Sequence, residues 1–332
     1  MSSQDESAQR LAQNLRRATG DANPALTSFV IPALLRGIGR TATALRAAHS
    51  VEKAGSDNVF GDAQLNVDVL AERFFRDEVA ACPAIVAASS EEDPVEQQKQ
   101  QSTTPGDNDN AETYAVAFDP LDGSSIIAPN WSVGSILGIW AGRSALHQNP
   151  SRQIAAVLGV YGPRTTVVIA VRVPGREDSA VCLEVGVSDS GSYEIIRDLT
   201  LKNTETKTRY FAPANLRAAS EDARYMALVT QYITERYTLR YSGGLVPDVV
   251  HALVKGHGVY LSPVTAGSKA KLRRAFELLP VALVVECAGG LAIDPVTGRR
   301  ILETPLKDLD ETAGLVCGTA TEVEKVKATL LG

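Results

Sequence analysis

Phe118-Asp119-Pro120-Leu121-Asp122-Gly123-Ser124-Ser125 decides how the rest of this 332-residue chain is read. The apolar run at 114–118 predicts a strand that ends at Phe118, after which Pro120 forces a bend and Gly123 permits a tight turn. Asp119 and Asp122 then share one turn with the Leu121 carbonyl between them. Such an all-oxygen donor set suits a hard cation, Mg²⁺ above all. Gly123, Ser124 and Ser125 add backbone N–H groups and hydroxyls for a phosphate held against that cation. Taken alone, an Asp-Pro-x-Asp-Gly turn is common, so its neighbours carry the decision.

Upstream, Ala, Leu and Ile recur every three or four positions over 24–54, which predicts a helix. A polar link (AGSDNVFGD) precedes a second helix over 62–80, with Asp62 placed as its N-cap. PAIVAAS reads as a strand leading to Ser90-Glu91-Glu92-Asp93, and the polar run through Asn110 as an exposed loop. Downstream, strands are expected at 133–140, 154–161, 165–173, 180–187 and 193–196. Helices followed by strands predict an α+β region over 1–198. Over 199–332 the pattern alternates: helix 221–236, strand 238–241, helix 247–255, strand 258–261, helix 268–279, an apolar segment, a strand and a final helix from Glu322. That is the α/β signature.

Composition narrows the function classes. The chain is 44% hydrophobic and 22% charged, the profile of a folded globular protein rather than a disordered one. Lys and Arg number 33 against 39 Asp and Glu, a net charge of −6, and no basic run exists for binding nucleic acid. Cys82, Cys182, Cys287 and Cys317 form no C-x-x-C pair, which argues against a zinc cluster and for reduced thiols. His49, His147, His251 and His257 lack metal-ligand spacing. No run of ~20 apolar residues suggests a membrane span. The N-terminal residues lack the apolar core of a secretory signal, so the expected location is cytoplasmic.

Six motifs bear on function: GD-x5-DVL (61–70), SEE (90–92), FDPLDGSS (118–125), LRYSGG (239–244), KLRRAFE (271–277) and ECAGG (286–290). In this order they resemble the fructose-1,6-bisphosphatase and sedoheptulose-1,7-bisphosphatase family, a branch of the Mg²⁺-dependent, lithium-sensitive sugar phosphatases. The likeness runs from about Phe60 to the C-terminus. It implies a layered αβαβα sandwich and a phosphoric monoester hydrolase using two or three Mg²⁺ per site, with Mn²⁺ as a substitute. By the same resemblance, Glu91 and Asp119 bridge the metals, while Asp122, the Leu121 carbonyl and Glu277 complete their shells. Asp62 would meet the outer metal or position the segment before it, and Glu92 with Asp68 would activate the attacking water. Asp122, Gly123, Ser124 and Ser125 would meet the reacting end of the substrate. Asn215, Arg240, Tyr241, Lys271 and Arg273 would hold the sugar and its distal phosphate. Arg240 would reach a neighbouring subunit's site, which implies a homodimer or homotetramer.

Departures from the fructose enzymes point to the sedoheptulose branch. Leu216-Arg217 follows Asn215 where those enzymes have a Tyr, Ser262 replaces another Tyr, and Ile126 replaces an Asn. The expected reaction is hydrolysis of the 1-phosphate of sedoheptulose 1,7-bisphosphate. The alternatives are a fructose-1,6-bisphosphatase, an enzyme acting on both, and a catalytically silent sugar-phosphate sensor. The sensor is disfavoured because every matched carboxylate is present. Thr113 stands where the fructose enzymes contact AMP with a Lys, and no Cys pair precedes Gly61, so neither AMP control nor a thiol switch at that place is expected.

Overall fold

The computed structural model describes residues 3–57, 63–99, 112–204 and 206–332. In chain order, α1 (Ser3–Thr19) is followed by a π-helical turn (Leu26–Val30) that runs into α2 (Ile31–Ala47). A small hairpin of β1 (Lys53–Asp57) and β2 (Ala63–Leu65) precedes α3 (Asn66–Ala81). Then come β3 (Ile85–Ser90), β4 (Gln97–Gln98), β5 (Tyr114–Asp122), the short α4 (Ser124–Ile127) and β6 (Val133–Ala141). The strands β7 (Gln153–Tyr161), β8 (Thr165–Val173), β9 (Arg176–Val187) and β10 (Tyr193–Asp198) complete an eight-stranded sheet ordered β10-β9-β8-β7-β6-β5-β3-β4. Only the β3–β5 pairing in it is parallel.

The second half adds β11 (Tyr210–Pro213), α5 (Ala223–Thr234), β12 (Thr238–Leu239), α6 (Leu245–Lys255) and β13 (Val259–Ser262). It continues with β14 (Leu272–Arg273), a π-helical turn (Arg274–Leu278), α7 (Leu279–Cys287) and β15 (Leu291–Ile293). The chain closes with β16 (Thr312–Ala313), β17 (Leu315–Gly318) and α8 (Ala320–Leu331). A five-stranded sheet runs β12-β11-β13-β17-β15, and β14 pairs with β16 apart from it.

Strand alternation sorts side chains into layers. On β5, Tyr114, Val116 and Phe118 join Leu15, Leu34 and Phe75 of the N-terminal helices in one buried cluster. Ala115 and Ala117 face the other way, toward Val281 and Leu283 of α7 and Val246 and Val249 of α6. That cluster continues through Ala212, Tyr260 and Cys317 of the five-stranded sheet. The far side of the second sheet, through Phe211, Leu261 and Val316, packs on Tyr225, Leu228, Val323 and Val326 of α5 and α8. The result is the αβαβα sandwich expected from the motifs. α7 lies between two sheets, and Leu279 through Val285 are all buried, as a helix apolar on every side requires. Each buried Leu or Val of this run contributes ~1.5–3 kcal/mol by leaving water. Gly37 lets α2 approach α3 closely, since a Cβ there would stand 2.6 Å from a ring carbon of Phe75.

Four local expectations are corrected. The first helix stops at Ala47 rather than 54, and 53–57 is a strand. The second starts at Asn66 with Leu65 as N-cap residue, not near Asp62, which lies outside the described residues. The strand before the motif does not end at Phe118 but continues to Asp122. The segment 268–279 is not one helix: Leu272 and Arg273 pair as a strand with Ala313 and Thr312 before the π-helical turn begins. Helix α1 (Ser3–Thr19) is a further element that the apolar pattern does not predict. Leu11 and Leu15 are its only large apolar side chains, and both are buried in the cluster of the N-terminal helices.

Candidate active site

The motif strand bulges where the site forms. Asp119 pairs with Ile136 and Asp122 with Gly134, so Pro120 and Leu121 together oppose Ser135 alone. Residues three apart on a regular strand face opposite ways, but one extra residue returns Asp122 to the face of Asp119. Pro120 suits the bulge because it has no N–H to offer a ladder. Its carbonyl accepts the Ser135 hydroxyl at 2.6 Å, and the Leu121 N–H donates to Asp119 Oδ1 at 2.9 Å. Gly123 then turns the chain with φ +92°, a conformation that favours glycine, placing Ser124 and Ser125 on the surface.

Asp119, Asp122 and Glu277 are all buried, and each contributes a carboxylate oxygen within 4.8 Å of the others. Glu277 comes from the turn before α7, where its carboxylate accepts the Arg273 N–H. Asp122 accepts the N–H groups of Leu245 at 3.1 Å and Val246 at 2.7 Å, the start of α6. Burial pushes the Asp119 and Glu277 carboxyls well above the carboxylate range, and the nearby charge of Glu91 adds to both. Burial raises Asp122 to about 6, even though its two N–H partners favour the ion. Acids packed this way repel one another, and a divalent cation reverses that repulsion. All the donors are oxygen, so the residues present fit a hard cation.

Glu91 and Glu92 follow β3, and the Glu91 N–H donates to the Phe118 carbonyl at 3.0 Å. Asp68 opens α3, and its Oδ2 accepts the Leu65 N–H at 2.9 Å. The other oxygen of Asp68 is buried with no hydrogen-bond partner. Burial raises the Asp68 carboxyl to about 7, with the Glu92 charge adding to the effect. Glu92 itself accepts a hydrogen bond from the Gln64 side chain, a contact that the sequence reading missed.

The residues expected to hold the sugar and its distal phosphate are arranged differently. Asn215 spends its amide internally: Nδ2 donates to the Pro263 carbonyl at 2.7 Å, and Oδ1 accepts from Ser268 at the same distance. Tyr241 donates to the Ala214 carbonyl at 3.0 Å. Arg240 and Tyr241 line a cavity of about 780 Å³ shared with Trp131, Tyr161, Asp248 and His251, which none of the three clustered carboxylates reaches. Lys271 is exposed, and Arg273 reaches the Asp310 carbonyl at 3.4 Å. Asp248, also unanticipated, accepts from Ser242 and Gly243 and so braces the turn after Tyr241. The four cysteines are free, as expected. No helix among the described residues is long and apolar enough to cross a membrane.

Residues 10–186 match the model of the fructose-1-6-bisphosphatase N-terminal domain, and 204–331 that of its C-terminal domain. The chain belongs to the fructose-1-6-bisphosphatase family, which is a family of metal-dependent phosphoric monoester hydrolases. A chloroplastic sedoheptulose-1,7-bisphosphatase of Spinacia oleracea is 35% identical over 83% of this chain and 67% of its own length. The chain thus spans about two thirds of that relative. A class 1 fructose-1,6-bisphosphatase of Syntrophotalea carbinolica is also 35% identical, over 82% of this chain and 79% of its own. Among solved structures, a candidate sedoheptulose-1,7 bisphosphatase from Toxoplasma gondii superposes with a TM-score of 0.84 at 37% identity, covering 97% of this chain and 98% of that one. Leishmania major fructose-1,6-bisphosphatase shares the fold at TM-score 0.81 and 22% identity, over 96% and 98%.

Proposed function

We propose that this protein is a Mg²⁺-dependent sugar bisphosphatase that releases the 1-phosphate of sedoheptulose 1,7-bisphosphate, leaving sedoheptulose 7-phosphate. The observation that carries the reading is the buried Asp119–Asp122–Glu277 cluster on the bulge of β5, within a chain of this family. Glu91, Asp119, Asp122, Glu277 and the Leu121 carbonyl would hold two or three cations. Bound there, the ions supply charge neutralisation for the phosphoryl oxygens and a more acidic water. Asp68 and Glu92 would orient that water and accept its proton, the task of a general base within reach of the nucleophile. Gly123, Ser124 and Ser125 hold the reacting phosphate, and Asp62, which lies outside the described residues, would meet the outer metal or position the segment before it.

In the same reading, 1–198 supplies most metal ligands and 199–332 the sugar and distal-phosphate groups Asn215, Arg240, Tyr241, Lys271 and Arg273. Asn215 acts by fixing Ser268 and the chain at Pro263 rather than by contact, because its amide is already engaged. Arg240 is exposed and would serve the neighbouring subunit of a homodimer or homotetramer working in the cytoplasm. Arg217, Ser262 and Ile126 support the seven-carbon substrate. Ile126 packs where a Cβ on Gly243 or Gly244 would meet it, at 3.1 and 3.3 Å, filling the space beside the turn after Tyr241. Fructose 1,6-bisphosphate is the second reading, since relatives of both names match at 35% identity. Measuring kcat/KM for both sugars with purified protein and Mg²⁺ separates them. A preference for the fructose ester overturns the assignment, and turnover of neither rejects both.

A further inference from the structure

Asp68, Glu72 and Arg76 follow one another at i, i+4 and i+8 on α3, so they lie in one row along the helix. The far end of that row grips the turn that presents Glu91 and Glu92. Arg76 Nε meets Glu72 Oε1 at 2.7 Å, and its Nη2 donates to the Ser90 hydroxyl at 3.0 Å. Ser90 is fully buried; its hydroxyl donates onward to Glu72 Oε1 at 2.9 Å and accepts the Asp93 N–H at 3.0 Å. Arg76 also reaches the carbonyls of Ala88 and Asp93, each at 3.4 Å. The two ends of the turn are themselves joined, Ser90 N–H to the Asp93 carbonyl at 3.1 Å. The guanidinium carbon stands 5.4 Å from the Phe118 ring, immediately before the metal-site Asp119. Arg76, itself on α3, therefore meets the Glu72 side chain there, the backbone at the end of β3 and the Phe118 ring of β5, three of the elements that deliver the carboxylates.

We propose that Arg76, acting through Glu72 and Ser90, is a positioning residue that fixes Glu91 and Glu92 against Asp68 and the Asp119 cluster. This inference rests on the reading of the site as a cation-dependent phosphatase. A planar fork with several donors suits such a junction, because it holds two carbonyls, a hydroxyl and a carboxylate in fixed directions. A solvated ion pair on a helix surface would not be tied to a buried Ser.

The test is Mn²⁺ binding to chelated protein, read by electron paramagnetic resonance, together with kcat and KM on the bisphosphate at saturating cation. Groups that orient metal ligands typically change affinity or activity 10- to 100-fold. Arg76→Met is expected to raise the Mn²⁺ Kd and lower kcat by roughly that factor, with KM changed less than about threefold. Arg76→Lys keeps the charge beside Glu72 but not the fork, and is expected to recover part of both. Ser90→Ala removes only the central hydroxyl and is expected to move the same two quantities, so it decides the matter if Arg76→Met does not fold. A folded Arg76→Met protein with wild-type Mn²⁺ Kd and wild-type kcat overturns the positioning role. Wild-type protein that binds no Mn²⁺ overturns the cation reading itself, a result distinguishable from the first.

Discussion

Asp122 and Val246, 124 residues apart in sequence, are joined by a 2.7 Å hydrogen bond from the Val246 N–H to the Asp122 carboxylate. The residue that closes the bulged strand of the first sheet therefore also caps the helix that follows Arg240 and Tyr241. Its carboxylate belongs to the candidate metal cluster as well, so one side chain ties that cluster to the start of α6.

Asp122→Asn tests that double duty. Asn keeps one acceptor oxygen, so one of the Leu245 and Val246 N–H groups loses its partner, at a cost of ~1–3 kcal/mol. Relief of repulsion with its neighbours offsets part of this. The expected outcome is a folded protein by circular dichroism whose turnover falls at least ~100-fold, the upper end of what mere ligand orientation accounts for. An active variant rejects Asp122 as a ligand; an unfolded one makes it structural.

The raised carboxyls set a pH dependence. Asp68 and Asp122 hold their protons up to about 7 and about 6 in the fold, against ~3.9 in an unfolded chain. The stability they contribute to cation-free protein is fully present below pH ~4 and is lost as pH rises through 6 and 7. A cation ligated by Asp122 must displace its proton, and the cation's charge favours the ionised form of nearby Asp68, so cation affinity rises over the same interval. The Tm increase on adding Mg²⁺ should be small at pH 5 and large at pH 8. An increase independent of pH would contradict the shared, buried cluster.

Ser135 supports the bulge from β6. Its hydroxyl donates to the Pro120 carbonyl and lies 2.7 Å from the Tyr161 hydroxyl, all three residues being buried. Ser135→Ala should cost ~1–3 kcal/mol in urea unfolding, the usual penalty for stranding buried polar groups. Unchanged stability would show that the bulge holds itself.

Arg240 separates capture from chemistry. Losing a charge-assisted contact to the distal phosphate costs ~1.5–3 kcal/mol, or about 10- to 150-fold. Arg240→Ala should raise KM and spare kcat on the bisphosphate, and behave as wild type on a substrate bearing only the 1-phosphate. Equal loss on both substrates would assign Arg240 to holding the assembly or the fold together rather than to binding the distal phosphate.

Much of this was legible in the sequence, and the exceptions share a cause. The strands at 133–173 announced themselves through continuous apolar runs, because both faces of that sheet are covered. The segment 268–279 misled because Leu272, Phe276 and Leu279 keep helical spacing. Its first part is instead held by pairing with Thr312 and Ala313, about forty residues away. The two aspartates of the motif were identified as neighbours, but the bulge that puts them on one face depends on register with β6. Gln64, Arg76 and Asp248 carried no local signal. Their roles exist only once Glu92, Ser90 and the turn at Ser242 are brought to them.

The central claim is that the Asp119–Asp122–Glu277 cluster holds the cations that make this chain a bisphosphatase. It is tested most directly by phosphate release from sedoheptulose 1,7-bisphosphate before chelation, after chelation and after return of Mg²⁺. The account predicts that hydrolysis disappears with the chelator and returns with Mg²⁺ or Mn²⁺. Undiminished hydrolysis in the chelated protein would contradict it.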